Sequence, residues 1–212
     1  MKILFVVIIV SMTICAGFSK GISQEQFNTI ISRLGAEKPE KDVYTNFIKA
    51  TADFPPEEMA MLLAQLIHES GSFRYREEIV CTTGNKCANS YKDEIGLPGK
   101  SYHGRGFIQL TWGKNYRDAS RGLGLGDKLL QHPEIVASDT KIAMDSSIWY
   151  WKDKVRPMLK GDFTRFGLTT KAINGALECK GYNERAANRY KIYGTVTEVL
   201  QIQKASENGC YN

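Results

Sequence analysis

The sequence predicts a mainly α-helical fold, and three observations carry that prediction. Apolar residues recur at helical spacing along most of the 212-residue chain. Several of these stretches are preceded by residues that start helices. Only Phe107 to Leu110 reads as a strand. With 42% hydrophobic and 24% charged residues the chain can bury a sizeable core, which excludes disordered and fibrous classes. Internal repeats, low-complexity tracts and long linkers are absent from the sequence.

Taken in order, Ser23 with Gln26 three residues on has the form of a capping box, opening a helix that carries Phe27, Ile30, Ile31 and Leu34 on one side and stops at Gly35. A second helix is expected from about Val43 to Ala52. A third starts at Pro55-Pro56, has Glu57 and Glu58 in its first turn, and runs to about Ser70. Later helices are expected around Tyr116 to Leu123, Asp139 to Lys154, Leu168 to Asn174, Asn183 to Tyr193 and Thr195 to Gln203. The remaining long irregular stretch, Ile79 to Gly106, has the character of a functional loop.

Met1-Lys2 is followed by eight unbroken apolar residues, Ile3 to Val10, and then by the small residues Ala16 and Gly17, the pattern of a secretory signal peptide over residues 1–17. The run is too short to cross a membrane, so the mature chain, 18–212, is expected to be exported, extracellular or wall-associated, without a membrane partner. Lys plus Arg exceed Asp plus Glu by five, but the basic residues are scattered, which does not argue for nucleic acid. Removing the leader takes away Cys15 and leaves Cys81, Cys87, Cys179 and Cys210, an even count that suggests two disulfides. Three pairings are open, the nearest-neighbour one joining Cys81 to Cys87 and Cys179 to Cys210. The three histidines, His68, His103 and His132, match no common zinc spacing, and no metal or other cofactor is expected.

Two carboxylates stand out. Glu69 ends a helix full of core residues, where burial raises a carboxyl pKa and suits it to giving a proton. Glu78, nine residues on beside Glu77, enters a polar, cysteine-bracketed loop where a carboxylate can stay ionised. One acid and one base from the same residue type is the arrangement of glycosidases. Nine residues of continuous helix would put them on opposite faces, so Ser70-Gly71-Ser72 must turn the chain. Spacing alone favours the plainer alternative of a paired helix-end acid and a solvated surface pair.

The segment Tyr102-His103-Gly104-Arg105-Gly106-Phe107-Ile108-Gln109-Leu110-Thr111-Trp112, with Asn115-Tyr116 after it, resembles the signature of family 19 glycoside hydrolases, the chitinases first described in plants. His68-Glu69-Ser70-Gly71-Ser72-Phe73-Arg74-Tyr75-Arg76-Glu77-Glu78-Ile79 is similar to the family segment that bears both acids. Ile173-Asn174-Gly175-Ala176-Leu177-Glu178-Cys179 and Asn188-Arg189-Tyr190-Lys191-Ile192-Tyr193 resemble two later motifs. The likeness spans roughly Phe47 to Cys210. It implies a lysozyme-like α+β fold with two helical lobes around a substrate cleft and a small β element.

Carried over position by position, the resemblance implies Glu69 as general acid, Glu78 as general base, and Thr111 as the hydroxyl that helps hold the attacking water. Gln109, Asn115 and Asn174 would bind the sugar, and Glu178 and Arg189 would pair near the acid. His68 would orient a neighbour by a hydrogen bond. Arg105, between two glycines, reads equally as a substrate contact or as a structural arginine bonding carbonyls. Trp149, Tyr150 and Trp151 lie in a strongly helical segment and are assigned to core packing. Phe107, Lys114 and Ala176 depart from the family pattern, and Lys114 replaces a tyrosine of one sugar subsite. No cysteine-rich chitin-binding module precedes the domain. The expectation is a secreted, monomeric, single-domain endochitinase acting by inversion on chitin or chitooligosaccharides. A peptidoglycan-active relative and a chitin-binding lectin are the alternatives.

Overall fold

The computed structural model describes residues 21–83, 87 and 90–211; the expected signal peptide lies outside the described residues. The described residues fold into eleven α-helices: α1 (Gln24–Arg33), α2 (Lys41–Ala50), α3 (Pro56–Glu69), α4 (Ile79–Thr82), α5 (Gly113–Gly122), α6 (Lys128–Gln131), α7 (Ile135–Ser138), α8 (Thr140–Tyr150), α9 (Arg156–Leu159), α10 (Gly167–Glu178) and α11 (Glu184–Leu200). A π-helical turn, Trp151–Val155, joins α8 to α9. Pro157 has no N–H to offer the carbonyl of Asp153, which accounts for the loss of ordinary helical register there.

The capping box forms as read: Gln26 N–H donates to Ser23 Oγ at 3.1 Å and Ser23 N–H to Gln26 Oε1 at 3.0 Å. The central element is α3. Its helical period predicts one buried face, yet all ten residues from Glu58 to Ile67 are buried, because α11 lies along one side and α10 crosses near it. Two polar residues therefore enter the core with partners. Glu58 accepts from Trp151 Nε1 at 2.8 Å and from Arg156 Nε at 2.7 Å and Nη2 at 3.0 Å, tying the start of α3 to the π-helical turn and to α9. Gln65, one turn before the end of the helix, is bonded on both sides of its amide.

Three expectations need correction. The helices read at Asn183 to Tyr193 and Thr195 to Gln203 are one, α11, capped by Asn183 Oδ1 and continuous through Gly194. The glycine serves packing there, not termination, since a Cβ would lie 3.0 Å from Lys204 Nζ. The helix expected to stop at Asn174 kinks at that residue (φ −143°, ψ 29°) and continues to Glu178. Phe107 to Leu110 is no strand. Arg105 and Leu110 exchange both backbone hydrogen bonds, at 3.1 and 2.7 Å, closing a tight loop in which Gly106 and Gln109 have φ of 73° and 53°. The β element of the described residues consists of isolated bridges: Glu77 with Arg105, Arg105 with Leu110, and Arg165 with Ser206. Disulfides join Cys81 to Cys87 and Cys179 to Cys210, the nearest-neighbour pairing of the three. No helix among the described residues is long and apolar enough to cross a membrane.

Glu58→Ala removes the acceptor of a buried indole N–H and the partner of Arg156. The free energy of unfolding should fall by about 2–4 kcal/mol. Urea denaturation measures this, and a change below about 0.5 kcal/mol would show that these contacts contribute nothing.

Candidate active site

Glu69 is the last residue of α3, and immediately after it the chain reverses sharply. Ser70 Oγ donates to the Leu66 carbonyl at 2.6 Å and accepts from Phe73 N–H at 2.8 Å, and Gly71, Ser72 and Phe73 all have positive φ, 56° to 67°. Three successive left-handed residues are costly outside glycine, but they turn the backbone so that Glu69 and Glu78 line one cleft of about 740 Å³.

On the Glu69 side the chemistry centres on Arg189, which is buried on α11. Its Nε and Nη2 donate to the two oxygens of Glu178 at 2.8 and 2.9 Å. Its Nη1 donates to Gln65 Oε1 at 2.8 Å and lies 2.5 Å from Glu69 Oε1. Gln65 in turn donates to Thr169 and Thr170 on α10, and Asn174 Nδ2 donates to Glu178 Oε1 at 2.7 Å. One guanidinium thus faces two carboxylates, and they do not share it equally. The bidentate grip falls to Glu178: burial alone would raise that carboxyl, but the hydrogen bonds and charge of Arg189 outweigh it and hold it below the usual range. Glu69 meets a single nitrogen. Its burial prevails over Arg189, and the negative Glu178 nearby adds to the effect, so its carboxyl is raised above 4.5. His68, whose ring pairs with the Asn188 amide at 3.2 Å, is lowered to about 4 by burial and by Arg189, and is neutral at neutral pH.

The Glu78 side is built mainly from backbone. Glu78 N–H donates to the Gly104 carbonyl at 2.9 Å, and Gly106 N–H to the Arg76 carbonyl at 2.8 Å. Glu77 points away from the cleft, accepting from Arg105 Nε at 3.1 Å and pairing with His103 Nε2 at 2.7 Å. Burial raises Glu77, but His103 and Arg105 outweigh it and leave the carboxyl low. Of the two meanings open for Arg105, its burial fits the structural one. The residue is buried behind the cleft, donating to the Ser101 carbonyl and to Tyr116 Oη. Glu78 Oε1 accepts from Tyr91 Oη at 2.8 Å, while among the described residues Oε2 has only a long contact, 3.5 Å, with Gly104 N–H.

Gln109, Thr111 and Asn115 line the same cleft as the two acids. Gln109 donates to the Gly106 carbonyl, Thr111 Oγ1 to the Gln109 carbonyl at 2.7 Å, and Asn115 Nδ2 to the Thr111 carbonyl at 2.8 Å. Gly104 lets the Gln109 side chain lie close, since a Cβ would be 2.7 Å from Gln109 Oε1. His68, Asn174, Glu178 and Arg189 also line the cleft. Of the residues assigned to the site from sequence, Arg105 and the four disulfide cysteines do not line it.

Sequence reasoning missed Tyr91, Trp112, Tyr150 and Arg185, which line the cleft, and Gln65 behind it. The sequence groups Tyr150 with its neighbours in the core; Trp151 is fully buried, whereas Tyr150 faces the cleft, and burial together with the charge of Glu69 raises its phenol. The signal that could have found it is geometric, because three consecutive helical residues are about 100° apart and cannot share one face. Among the described residues no group of three His, Cys, Asp or Glu side chains is placed to hold a metal ion.

A helical body with two acids across a cleft is what the resemblance implied, and comparison with known proteins bears directly on it. The family of glycoside hydrolases described as chitinase class I, family 19, matches residues 22–161, and the chain belongs to that family. Endochitinase At2g43590 of Arabidopsis thaliana is 40% identical over 79% of this chain and 64% of its own length, and endochitinase At2g43610 of the same plant is 43% identical over 87% and 66%. The chain thus spans just under two thirds of the length of these relatives. The crystal structure of a family 19, class IV chitinase from Zea mays superposes with a TM-score of 0.72 at 27% identity, covering 89% of this chain and 97% of that one.

Because His68 sheds its proton more readily folded than unfolded, the unfolded chain takes up the extra proton between pH 6.5 and about 4. The stability that this residue contributes is complete above 6.5 and is lost as pH falls through that window. Unfolding free energies of wild type and His68→Gln should diverge on acidification, wild type losing more. Parallel curves would show that His68 does not titrate as described.

Proposed function

We propose that the protein is a secreted endochitinase that hydrolyses β-1,4 bonds between N-acetylglucosamine units by single displacement. The observation that carries this reading is the unequal environment of two carboxyls on one cleft: Glu69 is half-buried against Arg189 and raised above 4.5 by desolvation, and Glu78 lines the same cleft with one oxygen turned from its tyrosine partner. Glu69 donates its proton to the glycosidic oxygen as the bond to the leaving sugar breaks. Glu78 takes a proton from water as the water oxygen attacks the anomeric carbon from the other face, so the β bond gives an α product. An inverting pair needs its carboxyls about 6.5–9.5 Å apart to admit that water. Thr111 Oγ1 is assigned to holding it. Gln109, Asn115 and Asn174 offer amide donors and acceptors to the sugar hydroxyls and N-acetyl groups. Glu178 and Arg189 hold Glu69 in place and help set its protonation state; after each turnover Glu69 regains a proton from solvent and Glu78 releases the one taken from water. Secretion rests on the leader pattern of residues 1–17.

A second reading, cleavage of peptidoglycan, draws on Arg185. It lines the cleft as an exposed cation, suited to a carboxylate-bearing sugar.

Hydrolysis of N-acetylglucosamine hexamer, followed by NMR of the product anomers beside a peptidoglycan lysis assay, tests both. Initial α-anomers are expected, and Glu69→Gln should lower turnover about 10²- to 10⁴-fold. Initial β-anomers would refute single displacement. Lysis of peptidoglycan with the hexamer intact would favour the second reading, and hexamer binding without turnover would make the protein a lectin.

A further inference from the structure

Tyr91 and Trp112 are absent from the residues that the family resemblance assigns, yet they meet at the base side of the cleft in an unusual way. Their rings pack edge to face with centroids 5.6 Å apart. Both residues have positive φ, 58° for Tyr91 and 78° for Trp112, a conformation that bulky side chains rarely adopt and that persists where the surroundings impose it. Those surroundings are specific. Asp93, two residues beyond Tyr91, accepts from Ile95 and Gly96 N–H through Oδ1 and from Lys114 N–H through Oδ2, at 3.1, 2.8 and 2.8 Å. It thereby pins the Tyr91 loop to the first turn of α5. Gly113 is the contact point, where a Cβ would lie 2.6 Å from Asp93 Oδ1 and 2.7 Å from Gly96 N. The two aromatic residues are therefore held together by two constraints, ring packing and the Asp93 bridge, the second made possible by the close approach at Gly113.

Tyr91 spends its hydroxyl proton on Glu78 Oε1 at 2.8 Å, and burial, reinforced by that carboxylate, raises its phenol above the ordinary value and keeps it a donor. Trp112 is 46% exposed and lines the cleft, an expensive placement for an indole with no other role in the core.

We propose that Tyr91 is a positioning residue for Glu78, fixing the carboxylate through Oε1 so that Oε2 is presented to water, and that Trp112 acts through Tyr91 by holding its ring at the angle that makes the bond. The inference rests on the reading of Glu78 as the general base. It assigns to Trp112 a role in turnover, apart from any sugar contact. The hydroxyl of Tyr91 and the indole of Trp112 are then two parts of one device and should not act independently.

The test uses the mature protein and N-acetylglucosamine hexamer, with kcat and KM measured separately for Tyr91→Phe, Trp112→Ala, Trp112→Phe, the Tyr91→Phe/Trp112→Ala double variant and Glu78→Gln. Tyr91→Phe, which removes one oxygen and keeps the ring, should lower kcat about 10-fold or more with KM within about 2-fold. Trp112→Ala should lower kcat comparably, the double variant should be no worse than the poorer single one, and Trp112→Phe should recover most of the rate. Wild-type kcat in Tyr91→Phe would overturn the proposal, as would single losses that multiply in the double variant, or a Trp112→Ala effect confined to KM. If Tyr91→Phe fails to fold, Trp112→Ala and Trp112→Phe decide: a kcat loss in the first and recovery in the second supports the proposal, and no kcat loss in the first overturns it. Glu78→Gln separates the role of the base from that of its tyrosine partner. Wild-type turnover in that variant would refute the base assignment itself, whereas its inactivity beside a fully active Tyr91→Phe refutes only the role of Tyr91.

Discussion

A single buried guanidinium between two carboxylates is the interaction on which the rest of the structure depends. Burying Arg189 is tolerable only if every donor finds an acceptor, and the partners it recruits come from two other helices: Glu178 on α10, and Gln65 and Glu69 on α3. That requirement fixes how α3, α10 and α11 meet. It explains why α3 carries a glutamine amid Leu62, Leu63, Leu66 and Ile67, and why Thr169 and Thr170 face it. It also divides the two acids. With Glu178 in the bidentate position, Glu69 is left in a buried place with one shared nitrogen, and desolvation governs it.

The opposite wall of the cleft is made by different means. Where the Glu69 side uses side-chain charge inside packed helices, the Glu78 side uses backbone hydrogen bonds between loops, with Glu77, His103 and Arg105 locked behind it. Glu69 sits half-buried at a helical junction against Arg189, and Glu78 sits half-buried at a loop rim beside Tyr91. Two identical residue types thus meet different partners, a buried guanidinium for Glu69 and a tyrosine hydroxyl for Glu78, as the proposed acid and base roles require.

Much of this was legible in the sequence, and the limits are physical. The capping box at Ser23, the proline start of α3, and the need for a turn at Ser70-Gly71-Ser72 come from local rules that tertiary structure does not override. The positions of Glu69, Gln109, Thr111, Asn174, Glu178 and Arg189 on one cleft were readable because linear motifs carry them. What was not readable depends on contacts distant in sequence. Gly194 reads as a break until Lys204 is seen against it. Phe107 to Leu110 has strand composition, but its ends are drawn together by the Arg105 and Leu110 backbone pair. Gln65 reads as an ordinary helix residue, and Tyr150 as core, until α10 and the cleft are in place. Arg105 left two readings open because glycines on both sides mark a tight turn whichever way its side chain points.

Glu69 and Glu178 face the same arginine yet end on opposite sides of the ordinary carboxyl value, burial prevailing in the first and Arg189 in the second, and the proposed role of Glu69 as proton donor stands on that division. A carbon-13 NMR titration that follows both carboxyl carbons in one sample tests it most directly. Glu69 should titrate above 4.5 and Glu178 below it. Titration of Glu69 at or below 4.5, or of Glu178 above Glu69, would contradict this division.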